Sequence, residues 1–217
     1  ETGLILSLPA AIGLTVIAAP IMAVLFERGE FTHADALQSS YALVAYAVGL
    51  PAYVLARVFS TAYFAREDTM TPVKFAITCA VINTVLALAF ISPLRHVGIA
   101  LATGLTAWVN LALLMHGLHK KKHLDLPRHS VLRGGKVVLS GVIMAGVLWY
   151  LNTVVFNGLT SGTPLHKALE LAGLIGAGGT VYFAALYIFG IFNMHTIKQL
   201  FPKGKKRDTI ETIEKEL

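Results

Sequence analysis

The chain has 217 residues, of which 55% are hydrophobic and only 14% charged, and its mean hydropathy is +0.67. Soluble domains carry about 25% charged residues, so a water-soluble enzyme or scaffold is excluded. The net charge of +6 does not indicate nucleic acid, because the basic residues sit beside apolar runs and are not interleaved with exposed aromatics.

Six apolar runs make up most of the chain, at 4–26, 41–65, 75–94, 97–117, 137–156 and 171–194. A helix rises about 1.5 Å per residue, so about 20 residues match a hydrocarbon core about 30 Å thick. Each run is long enough to cross, and five of the six contain no Asp, Glu, Lys or Arg. The fold class that follows is all-α, a polytopic transmembrane bundle of six spanning helices. The domain reading is a membrane domain over 1–194 and a cytoplasmic tail over 195–217.

The first run begins directly after Glu1-Thr2-Gly3, with no basic n-region and no cleavage site. It reads as a spanning helix whose upstream neighbour is missing, interrupted by Pro9 and Pro20. Thr32-His33-Ala34-Asp35 has the pattern of a capping box before the second helix. That helix carries Gly49-Leu50-Pro51 near its middle. Bent helices occur where transporters form cavities and hinges, and also where kinked helices simply pack. Thr71-Pro72 places a cap before a first-turn proline at the third helix, and Thr163-Pro164 repeats this before the sixth. Ala100…Gly104 and Ala172…Gly176 put small residues four apart, a pattern of close helix contact.

Charge orients the six runs. Fourteen of the 18 Lys and Arg residues lie in the second loop, the fourth loop and the tail; Arg28, Arg95 and Lys167 lie on the other side, and Arg57 is inside a span. The positive-inside rule therefore puts both termini in the cytoplasm. The basic fourth loop also favours anionic membrane lipids. Trp149 and Tyr150 fall where an interfacial aromatic belt would lie.

Polar groups within the spans are the candidate binding residues. Arg57 lies eight residues before Ala65, about 12 Å from the cytoplasmic helix end. A central arginine costs roughly 2.5–3.5 kcal/mol to insert. It either snorkels to the interface or faces a cavity, where its planar fork of donors would suit an anionic phosphate. Asn83 and Asn110, in the third and fourth spans, either bind substrate or hydrogen-bond between helices. Cys79 reads as a small packing residue. His116, His119 and His123 share a helix edge without carboxylate or Cys partners, so no metal site is expected. There is no catalytic constellation and no G-x-x-x-x-G-K-[ST] motif, so neither an enzyme, a cofactor nor an ATP-driven engine is expected.

Four stretches resemble the MurJ (MviN) family of lipid II flippases, within the multidrug, oligosaccharidyl-lipid and polysaccharide exporters. They are LPAAIGLTVIAAPI (8–21), LFERGEFTHADA (25–36), AYAVGLPAYVLARVFSTAYFAREDTMTPVKFAI (45–77) and PLRHVGIALATGL (93–105). The run 65–73, containing Arg66, Asp68, Thr69, Thr71 and Pro72, is similar to the family's loop between its tenth and eleventh helices.

The resemblance implies a fourteen-helix, two-lobe transporter of the bacterial inner membrane, of which these six would be the last. The N-terminal lobe would be a missing partner. The implied substrate is undecaprenyl-pyrophosphate-linked peptidoglycan precursor, moved by alternating access on ion or voltage gradients. The last two helices would border a groove for the lipid tail. Arg57 stands where relatives commonly carry a basic residue. Two other readings remain open: half of a related glycan-lipid or drug exporter, and a membrane interaction module without transport.

Overall fold

The computed structural model describes residues 2–27, 29–120, 128–156 and 164–191. Lys121, Lys122 and His123 of the fourth loop, the Thr163 cap and the tail 195–217 lie outside the described residues. Within them every regular element is helical: α1 Thr2–Val16, α2 Ala18–Phe26, α3 His33–Phe64, α4 Met70–Lys120, α5 Arg128–Phe156 and α6 Pro164–Ile188.

The first apolar run is two helices, α1 and α2, meeting at 72°. The break falls at Ile17 (φ −109°, ψ 23°), three residues before Pro20. Pro20 has no N–H, and its ring clashes with the carbonyl four residues back, on Val16, so the ladder fails just there. Pro9 has a different effect, because α1 continues through it. Its missing N–H frees the Ile5 carbonyl, and the Tyr182 hydroxyl on α6 donates to that oxygen at 2.9 Å. A freed carbonyl in lipid needs such a partner.

The capping box at α3 is complete. The Thr32 hydroxyl accepts from the Asp35 N–H, and Asp35 Oδ2 accepts from the Thr32 N–H at 3.0 Å. The Thr32 hydroxyl and backbone hydrogen bonds hold the Asp35 carboxyl below the usual carboxylate range. At its other end α3 closes with a Schellman turn. Asp68 N–H donates to the Tyr63 carbonyl and Glu67 N–H to that of Phe64, with Glu67 at φ +60°. The cap of α4 then falls to Asp68, whose Oδ1 accepts from the Thr71 N–H at 3.1 Å. Thr71 lies inside the first turn instead of preceding it.

The third and fourth runs form one helical element folded back at Arg95, where the backbone leaves the helical region (φ 50°, ψ −129°). The reversal is tight: a Cβ on Gly98 would strike the carbonyl of Phe90. At the far end the Phe75 ring lies on Gly117 and packs against the cluster that holds Tyr63, Leu114 and Leu118. The bent pair α1–α2, α3, the two arms of α4, α5 and α6 thus make six passes.

α3 runs parallel to the returning arm of α4. Gly49 lies on Gly104, and the Tyr63 hydroxyl donates to the Leu114 carbonyl at 3.0 Å. A Cβ on Gly104 would stand 2.6 Å from the Ala45 carbonyl oxygen, so the two backbones touch. Small residues alone permit that approach. The other small-residue pattern has a different outcome. Gly173 and Gly176 face open space, so the 172–176 pattern makes no helix contact among the described residues. α6 ends earlier than its apolar run, in a second Schellman turn at Gly190 (φ +69°). Lys136 Nζ, two turns into α5, donates to the Phe189 carbonyl at 3.2 Å and pins these antiparallel helices together.

Among the described residues the buried apolar clusters lie in two regions. One joins α1 and α2 to α5 and α6 around Ile17, Met144, Leu148, Leu174, Tyr182 and Leu186. The other lies between α3 and α4 around Ala52, Ala56, Tyr63, Ala107, Leu111 and Leu114. The outgoing arm of α4 holds the most apolar stretch among the unbroken spans, yet the rest of the chain covers almost none of it. Ile77, Val81, Val85 and Leu88 are all exposed, as residues facing lipid or further protein would be.

Candidate functional site

The face of α3 that carries Arg57 is uncovered. Small residues of α3, Ala45, Gly49, Ala52 and Ala56, meet the returning arm of α4. On the opposite side Val54 and Val58 meet Gly3 of α1. Between these contacts runs a stripe of Tyr46, Tyr53, Arg57 and Phe64, with spacings of seven, four and seven that keep it on one helical face. All four residues are exposed. Tyr53 leans on the neighbouring helix, its hydroxyl 3.5 Å from the Thr103 carbonyl. Arg57 makes no hydrogen bond or ion pair within the described residues. Its guanidinium is therefore available to a ligand or to another part of a larger assembly. The sequence had singled out Arg57 but not its two tyrosines, although their spacing was visible.

Asn83 and Asn110 do not join this stripe. Asn83 is one turn beyond buried Cys79, and Asn110 lies three residues after buried Ala107. The register set by Phe75 against Gly117 and Phe90 against Gly98 brings the two amides within about a turn of each other, in the seam between the arms of α4. The Asn83 Oδ1 is buried without a hydrogen-bond partner within the described residues.

The motif loop 65–73 is also apart from Arg57, at the end of α3. Its residues act on the backbone. Arg66 Nη1 donates to the Ala62 carbonyl at 3.1 Å, Asp68 caps α4, and Pro72 is buried in the first turn. Thr69 is exposed. Trp108 reaches across to α3, its Nε1 donating to the Val48 carbonyl at 3.1 Å. Among the described residues no three His, Cys, Asp or Glu side chains gather as a metal site.

Six apolar passes, a bent first span and an arginine within the second that makes no hydrogen bond or ion pair among the described residues define a multi-pass helical membrane protein. Comparison with known proteins gives the family. The family model "Lipid II flippase MurJ" matches residues 1–168, and the chain belongs to that family. It is 41% identical over 187 residues to the probable lipid II flippase MurJ of Vibrio cholerae serotype O1, covering 86% of this chain and 35% of the relative. It is 36% identical over 212 residues to the corresponding protein of Rhizobium meliloti, covering 97% of this chain and 40% of that one. A solved structure of lipid II flippase MurJ in an inward closed conformation superposes with a TM-score of 0.67 at 26% identity, over 86% of this chain and 36% of that structure. The chain thus spans well under half the length of the relatives it matches.

Proposed function

We propose that this chain supplies the C-terminal helices of a flippase for undecaprenyl-pyrophosphate-linked peptidoglycan precursor, acting in the bacterial inner membrane by alternating access. The observation that carries this reading is the match to lipid II flippases over most of the chain, at up to 41% identity. The geometry supports it. A close-packed pair, α3 and the returning arm of α4, presents Arg57 between Tyr53 and Phe64 on a face that the chain leaves open. The N-terminal lobe of such a transporter would close that face into a cavity. A guanidinium there would meet the pyrophosphate, while the prenyl tail stayed in lipid. Asn83 and Asn110 we assign to the hairpin seam, as amides bonding between helices when the lobes move. The chemistry asked of this chain is binding and movement, without a catalytic step or cofactor.

The test is complementation. This segment, joined to the eight upstream helices of a relative, is expressed in flippase-depleted cells. Rescue is expected with the native segment, and lysis with Arg57→Ala at equal membrane level. Failure of the native chimera would overturn the flippase reading. Normal growth with Arg57→Ala would reduce Arg57 to a snorkelling residue.

A further inference from the structure

At the opposite end of α3 from the motif loop, a cleft of about 570 Å³ opens between the first turns of α3 and the Arg95 turn of α4. Its walls are apolar, with Val44, Val48 and Leu101 prominent, and polar groups gather at one end: Arg95, His96 and Gln38. Arg95 is exposed, and within the described residues its guanidinium has no carboxylate partner. The His96 ring nitrogen lies 3.4 Å from the Gln38 carbonyl, closing the mouth between the helices. Asp35 is the acid lining a smaller cleft that shares Gln38 and His96. Its Oδ2 is occupied by Thr32.

We propose that this cleft is a phospholipid site, holding an anionic phosphodiester headgroup at Arg95 and His96 and a fatty-acyl chain along Val44, Val48 and Leu101. Three observations converge. Arg95 sits at the tip of a hairpin whose arms are both apolar and long enough to span, which places it at headgroup height. The volume is within the range of ligand pockets, and an apolar trough ending in a cation matches the two parts of a lipid. The trough opens on a flank of this membrane protein where Tyr41 and Val48 are exposed. The leaflet is the one away from the basic loops, because Lys74 and Lys120 lie at the far ends of the two arms. The site is separate from the Arg57 face and does not depend on which cargo is flipped.

Trp108 reports on the cleft, since its indole bonds the carbonyl of the wall residue Val48. The 217-residue chain carrying Trp149→Phe leaves Trp108 as its sole tryptophan. It is reconstituted in zwitterionic vesicles containing a small fixed fraction of lipid brominated on the acyl chain, either phosphatidylglycerol or phosphatidylcholine. The expected result is an approximately fivefold enrichment of the anionic lipid beside Trp108, the factor one cation supplies at a membrane surface. Arg95→Gln with His96→Gln should remove this preference. Val44→Phe, which fills the trough and leaves the turn intact, should weaken quenching by both lipids. Equal quenching by the two lipids, a preference that survives the double substitution, or no quenching by either would overturn the proposal. So would loss of the preference on adding inorganic phosphate, because the site would then take free phosphate in place of a lipid.

Discussion

Gly104→Ala places one methyl group where α3 and the returning arm of α4 touch through their backbones. The new Cβ would stand 2.6 Å from the Ala45 carbonyl oxygen, against an ordinary contact of at least 3.4 Å. The obstacle is backbone and not a flexible side chain, so the helices must part by about 0.8 Å. A gap of that size forfeits a quarter to a half of each dispersion contact across the seam. Overpacking of this kind costs about 1–3 kcal/mol. The helix-propensity gain of Gly→Ala, up to about 1 kcal/mol, opposes it. Gly146→Ala isolates that gain, because a Cβ at Gly146 meets nothing within 4 Å. The difference between the two variants should therefore be about 1–3 kcal/mol, with Gly104→Ala the less stable. Reversible unfolding in mixed detergent micelles measures both. Equal stabilities would refute the backbone contact, and with it the rigid α3–α4 pair that holds Arg57.

Two further outcomes follow from local chemistry. Tyr182→Phe orphans the Ile5 carbonyl that Pro9 has already freed, and should destabilise the chain by about 1–2 kcal/mol. Pro9→Ala restores the helical donor, so the same Tyr182→Phe change should cost much less in that background. Additive costs in the double-mutant cycle would show that the two residues are independent. The capping box at α3 should fail in acid. Asp35 has a carboxyl held below its unfolded value by Thr32, so its stabilisation is complete above the unfolded pKa and is lost as pH falls through the lower folded one. Hydrogen-exchange protection at the first turn of α3, taken relative to the intrinsic amide rate at each pH, should fall over that acid window in the native chain and stay constant in Asp35→Asn.

Membrane character, the six passes and the α3 cap were legible in the sequence because each is a local property. Span length follows from hydropathy, and the Thr32–Asp35 box uses residues three apart. Arg57 stood out for the same reason, since a charge inside an apolar run is visible without a fold. Its surroundings were not. Tyr53 leans on Thr103, fifty residues away in the chain.

The sequence by itself determined the solvent, the number of crossings and their charge polarity. Transfer of residues into lipid is a sum over local groups, and that sum does not depend on which helices meet. Only the tertiary structure decided which small residues touch. Ala100…Gly104 and Ala172…Gly176 have the same spacing, but the first lies against the α3 backbone and the second faces open space. It also decided that Tyr182 bonds the carbonyl freed by Pro9, and that the Asn83 and Asn110 seam lies apart from the Arg57 stripe. These are choices of partner between distant segments. A helix period states which residues share a face, but not what that face meets.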